Sequence, residues 1–302
     1  METSVLLIIF NRFDTTKQVL DALRNAQVPR LYVYCDGPRS NKAGEAEQLA
    51  LVQQQVLSAI DWPCQVQHHF KKENEGPRLA IGHAISWFFT HEEQGIILEH
   101  DCVPAPSFFS FCETLLDYYK DNERVMHISG DNFQFGAWRG DGSYYFSSIT
   151  HIWGFATWRR AWKHYDVDMR AYPEFERNGG IEKMITHKRS IQFWKDIYTR
   201  SYQKKIDSWD YQWTFAVWKN NGLSILPNVN LISNVGFDSE ALNTKNPNHK
   251  LASMAVGEVL DIVHPSKMEI DEKADAYSIS KVFYPTYFTY FYEKVINWLT
   301  LK

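Results

Sequence analysis

At 302 residues, 44% hydrophobic and 23% charged, the chain has room for a large core, as one large domain or two modest ones. A net charge of -4 lacks the basic footprint that nucleic-acid binding leaves. The four cysteines, Cys35, Cys64, Cys102 and Cys112, form no C-x-x-C pair, which argues against a zinc knuckle or dithiol redox motif and suits reduced thiols in a cytosolic protein.

The N-terminus carries no basic leader. Its apolar run, VLLIIF, is too short for a signal-peptide core or a membrane span, so a cytoplasmic protein is expected. Residues 4–10 (SVLLIIF) predict a buried parallel strand, an apolar run without alternation. Val19, Leu20 and Leu23 give 15–26 a helical spacing, with Asp14 or Thr15 as its cap. Residues 30–35 predict a second strand running into Asp36-Gly37-Pro38, a turn signal. A second helix over 45–60, a weaker third strand over 64–70, a third helix over 79–92 and a fourth strand over 95–101 complete a β-α-β-α-β-α-β order. That order predicts an α/β fold with a parallel, doubly wound sheet.

Beyond residue 105 the pattern loosens. Residues 107–122 predict an amphipathic helix, 124–133 a strand, and the Gly- and Ser-rich 136–150 a loop. IWGFATWRRAWKHYD is mixed and aromatic. Residues 181–205 predict one or two surface helices, 210–222 a helix ending at a glycine cap, and 223–236 a late strand followed by a loop. Aromatic residues make up 15% of the chain, with 11 Trp and 16 Tyr, enough for an aromatic core or for surfaces that stack on sugars.

In open parallel sheets, ligands bind beyond the carboxyl ends of the strands. Four polar clusters fall there: Asn11-Arg12, Asp36-Gly37, the loop from Glu75 to Arg78, and Glu99-His100-Asp101. An arginine and several acids on one edge fit an anion held with help from a cation, as a nucleoside diphosphate with Mg²⁺ or Mn²⁺ would be. Asp101 is the expected metal ligand, with Glu99 or His100 acting behind it or on the ribose. The chain has neither G-x-x-x-x-G-K-[ST] nor a G-x-G-x-x-G after the first strand, so a P-loop or dinucleotide site is not expected.

The run LEHDCVPAPSFFSFC resembles the metal-binding segment of GT-A glycosyltransferases, most closely the N-acetylglucosaminyltransferase I type. That family carries Glu-Asp-Asp before a Phe-rich helix start; here His100 replaces the middle acid. IIFNRFDTTKQVLDAL and YCDGPR are similar to that family's first two strands. The resemblance implies nucleotide contacts from Arg12 and a uracil contact from Asp36, with Glu99 and His100 also in the nucleotide site. HISGDNF and IWGFATWRRAW resemble the segments leading to the acceptor, which brings in Trp153. The implied fold is a Rossmann-like GT-A sheet. Residues 1–135 would form its nucleotide-sugar half, and 136–302 the acceptor and base half with a C-terminal helix.

IDSWDYQW, at 206–213, sets two acids among aromatics. A capped helix packing its tryptophans would look the same. The segment is similar to the family's W-D-x-W motif, with one extra residue before Trp213, which implies Asp210 as general base, Asp207 in reserve or as a helix cap, and Asp207 and Trp209 as candidates beside the sugar. The resemblance as a whole implies a metal-dependent, inverting transfer of a sugar, such as GlcNAc, from a UDP-sugar to a glycan or glycoconjugate hydroxyl. NVGFDSEALNTKNPNHK, at 234–250, is polar enough for a lid or a plain surface loop. His264 is a candidate late metal ligand. Arg159, Arg160 and Lys163 would meet an anionic acceptor or solvent. The aromatic C-terminal segment from Tyr284 would lie on a membrane surface, dock as a terminal helix or form a dimer contact. Two rivals stand: a sugar-phosphate nucleotidyltransferase, against which the glycine-free NRFD counts, and a non-catalytic carbohydrate-binding protein, which His100 keeps open.

Overall fold

The computed structural model describes residues 1–185, 188–237, 250–252 and 254–283. Its elements run β1 (Val5–Ile9), α1 (Phe13–Asn25), β2 (Arg30–Cys35), α2 (Glu45–Ala59), β3 (Gln65–Phe70), α3 (Pro77–His91), β4 (Gln94–Glu99), β5 (Cys102–Pro104) and α4 (Pro106–Tyr118). They continue as β6 (Val125–Ser129), β7 (Tyr144–Ser147), β8 (Phe155–Trp158), α5 (Arg159–Trp162), α6 (Tyr172–Arg177), α7 (Gly180–Met184) and α8 (Lys188–Tyr202). The last are α9 (Asp210–Lys219), β9 (Leu223–Pro227), β10 (Ile232–Asn234) and α10 (Glu272–Ser278).

An eight-stranded sheet has the order β3-β2-β1-β4-β8-β6-β9-β7, and β5 and β10 form a small second sheet. β1 to β4 are parallel. β8 runs against β4 and β6, and β7 runs against β9, while β9 is parallel to β6. Strands from before and after residue 135 thus share one mostly parallel, Rossmann-like α/β sheet.

Alternation along β1 explains the layers. Successive side chains point to opposite faces, so Val5, Leu7 and Ile9 join a core with α1, α2 and α4. Leu6 and Ile8 join a second core with α3, α8 and α9. A sheet covered on both faces needs the continuous apolar strands that the sequence supplies. β3 lies at the sheet's edge, which is why its side chains are mostly exposed. His68 stacks on Phe70 and His69 on Tyr34, on opposite faces.

Several expectations are corrected. α1 starts earlier than expected: Arg12 takes the cap position without a side-chain bond, and Asp14 falls inside the first turn. Residues 144–147, expected as loop, form the buried strand β7; the aromatic run YYFS outweighs its glycine-rich surroundings. The turn after Asp101 contains β5, a three-residue strand paired with β10. At the end of α9, Asn221 rather than a glycine takes the left-handed backbone, at φ 50°. The Arg160 guanidinium, expected to face an acceptor or solvent, donates to the carbonyls of Tyr119, Lys120 and Val125 and lies over Trp158. Arg159 pairs with Glu93. His264 stacks on Tyr118 and bonds the Tyr144 hydroxyl through Nδ1. The central part of the expected lid and the C-terminal segment from Tyr284 lie outside the described residues. Among the described residues no helix is long and apolar enough to cross a membrane.

Candidate functional site

β1, β2 and β4 end side by side, and the polar residues that come after them meet at one edge of the sheet. Arg12 is largely enclosed there, 3.6 Å from the Asp14 carboxylate. His100 senses both of these residues and Asp101. Burial lowers its pKa, and the Arg12 charge lowers it further, which favours a neutral imidazole.

Asp36 follows β2 and is 8% exposed. Its carboxylate accepts hydrogen bonds from the backbone N–H groups of Gly37, Glu75 and Gly76 and from the Asn74 amide, at 2.8–3.1 Å. It therefore clamps the loop before α3. A base contact of the kind the resemblance implies would have to displace one of these donors. At Gly37 an added Cβ would lie 2.3 Å from the Glu73 backbone, so the two turns touch only because this residue has no side chain.

Glu99, Asp101 and Asp210 form the acidic centre, and all three remain partly accessible. Burial first, and then the charges of Asp101 and Asp210, push the Glu99 carboxyl up to about 8; a hydrogen bond from the Trp209 side chain opposes this. Two segments more than a hundred residues apart in sequence thus converge. Asp210 heads α9, and burial raises its pKa while a hydrogen bond from the Ser208 hydroxyl pulls it back. A carboxylate so shifted is better matched to proton transfer near neutral pH than an exposed one. Its helix is anchored from below: Trp213 Nε1–H donates to His127 Nδ1 at 3.1 Å, and His127 Nε2 lies 2.7 Å from the His151 carbonyl oxygen. With Nδ1 accepting, the proton sits on Nε2 and the ring is neutral; burial holds its pKa down at about 3.

Asp101 is placed by the small sheet. Its carbonyl accepts from Val235 N–H at 2.9 Å, just past β10. Gly236 then presses on its side chain, and a Cβ built there would lie 2.1 Å from Asp101 Oδ2. Cys102 Sγ lies 3.6 Å from Oδ1. Among the described residues no group of three or more His, Cys, Asp or Glu side chains is arranged to hold a metal ion. The oxygen donors present fit Mg²⁺ or Mn²⁺ in another way, as one or two carboxylates that need substrate phosphates to complete the shell.

The remaining candidates lie nearby in different settings. Asp207 is exposed, and its Oδ1 accepts the Arg78 N–H at 3.3 Å in the first turn of α3. It caps that helix from a distant segment. Trp209 is 3% exposed and stacks on Phe155, a core position whose polar edge serves Glu99. Trp153 is partly exposed and meets Phe133 and Phe237 edge-on. Sequence reasoning missed Gly236, Ser208 and the His127–Trp213 link. A lone glycine after a strand was the only available signal for the first; the others depend on contacts between distant segments.

No protein-family model matches the chain, and no curated protein does. Among solved structures, apo UDP-glucose pyrophosphorylase aligns at 9% identity and TM-score 0.38, over 75% of this chain and 90% of that one. HddC from Yersinia pseudotuberculosis aligns at 11% identity and TM-score 0.32, over 52% and 77%. The inositol-1-phosphate CTP transferase from T. maritima aligns at 9% and 0.32, over 54% and 73%. Scores this low favour neither rival chemistry.

Proposed function

We propose that the protein transfers a sugar from a UDP-sugar to a hydroxyl of a glycan or glycoconjugate acceptor, in the manner of the GT-A enzymes its sequence resembles. The observation that supports this most is the meeting of Glu99 and Asp101 with Asp210 at the carboxyl edge of the sheet. Asp101, with the phosphates of the donor, would hold a divalent cation. When bound, that ion offsets the charge developing on the leaving diphosphate. Arg12 adds positive charge at the same edge, and the neutral His100 adds hydrogen bonding without further repulsion.

Asp210 takes the proton of the acceptor hydroxyl. The hydroxyl oxygen forms a bond to the anomeric carbon as the bond from that carbon to the diphosphate oxygen breaks. The electron pair leaves with UDP, and attack from the opposite face inverts the configuration. Glu99, protonated near neutral pH, keeps a third negative charge away from the diphosphate.

The rival, a sugar-phosphate nucleotidyltransferase, uses a nucleophile that is already an anionic phosphate and needs no base. A carboxylate with a raised pKa at the reaction centre is what sugar transfer to a neutral hydroxyl requires. The test is a panel of UDP-sugars with Mn²⁺ and no acceptor, beside nucleoside triphosphates with sugar 1-phosphates. Slow release of free sugar from one UDP-sugar is expected. Pyrophosphate release from the second set, without sugar release from the first, would establish the rival.

A further inference from the structure

The loop after β6 holds two large aromatic side chains in solvent. Trp138 is 60% exposed and Phe135 45%. The backbone that carries them is fixed. Buried Asn228 donates to the carbonyls of Arg139 at 2.7 Å and Gly142 at 2.9 Å, and accepts the Arg139 N–H at 2.8 Å. Arg139 Nε–H donates to Gln134 Oε1 at 2.7 Å, and the buried Gln134 donates to Ala274 and Ser278. Ala137 N–H donates to the Gln134 carbonyl, closing a turn around Phe135. Phe135 sits in that turn at φ 49°, a left-handed conformation that is strained for a bulky residue. Pinned, strained and exposed aromatics suit recognition better than a loose surface loop.

The position is informative. β6 runs the same way as β4, so the loop leaves the edge that carries Asp101. A continuous line of contacts joins them. Gly236 touches the Asp101 carboxylate, Phe237 meets Trp153 at 5.6 Å, and Trp153 meets Phe133 at 5.2 Å, two residues before Phe135. The loop therefore lies beyond Asp101, on the side away from β1, β2 and β3. Three cationic side chains gather there. Lys250 Nζ lies 5.6 Å over the Phe135 ring, and the Arg139 guanidinium lies 5.5 Å over Tyr277. Lys281 is close enough for its charge to help lower the Lys250 pKa, after burial. Among the described residues no ion pair joins Arg139, Lys250 or Lys281 to a carboxylate.

We infer that Phe135 and Trp138 are the platform for the acceptor: their faces take a sugar ring, and Arg139, Lys250 and Lys281 take an anionic group that the acceptor glycan bears. This rests on the proposed transfer and adds the acceptor class. A uronic carboxylate and a sugar phosphate share that chemistry. Binding of the full chain is therefore measured by calorimetry to an oligogalacturonide, to a phosphomannan oligosaccharide and to neutral maltoheptaose. One anionic probe should bind roughly tenfold or more tighter than maltoheptaose and weaken with salt. Trp138→Ala and Lys250→Glu should each lose roughly tenfold, with unchanged melting temperature. Leu51→Ala, an exposed apolar position on α2, should bind as the unaltered chain does. Equal binding by Trp138→Ala, equal affinity for maltoheptaose, or no binding of either anionic probe would overturn the platform. Sugar release from UDP-sugars is scored separately; its absence would remove the transfer reading while the glycan titrations still judge the loop.

Discussion

The stability that His127 contributes should be lost in mild acid, because this residue ties the helix that carries Asp210 to the central sheet. Its ring is fully buried, with one nitrogen accepting from Trp213 and the other donating to the His151 carbonyl. Protonation would put a second N–H where the Trp213 N–H already points. The folded pKa is about 3 against an ordinary 6.5, so the unfolded chain binds the extra proton between those values. The stability that His127 contributes is therefore complete above about pH 6.5 and falls as pH drops toward 3, while Glu99, held at about 8, works the other way and equally in any His127 variant. The whole shift corresponds to roughly 5 kcal/mol, and the part lost by about pH 5 to roughly 2 kcal/mol. His127→Gln offers the same acceptor and donor without a titrating ring. It should cost a fixed amount from imperfect fit and lose less on acidification. Urea unfolding of both proteins at about pH 7.5 and pH 5 gives the comparison. An equal loss in the two proteins would refute the assignment of a neutral, doubly bonded His127.

Two further substitutions address the site. Gly236→Ala should force the Asp101 carboxylate to move by about 1 Å, and a misplacement of that size can cost roughly a hundredfold; Mn²⁺-dependent UDP affinity should fall while the melting temperature changes little. Asp210→Asn should keep UDP-sugar affinity within about threefold and lower turnover by roughly a hundredfold or more, as steady-state kinetics would show; full residual turnover would reassign the base.

Legibility in the sequence was a matter of physical range. The apolar runs at 5–9, 30–35 and 94–99 announce buried parallel strands on their own, and the segments between them carry helical spacing. Placing Glu99 and Asp101 at a sheet edge needed only that pattern. β5 and β10 were invisible because each has three residues and neither is a strand without the other. Asp36 could be placed but not understood, since its partners lie in a loop after the next strand. Trp209 looked like a sugar-stacking residue because spacing says nothing about burial; its ring fills the core and only its N–H reaches the acids. The role given to Asp210 rested on a resemblance in sequence, and its proximity to Glu99 required the fold.

The most direct measurement is calorimetric titration of UDP into the unaltered protein and into Asp101→Ala, each with Mn²⁺ and then with chelator. Binding should require Mn²⁺ and weaken by roughly tenfold or more in the variant. The same UDP affinity in all four titrations would contradict a cation shared between Asp101 and the diphosphate.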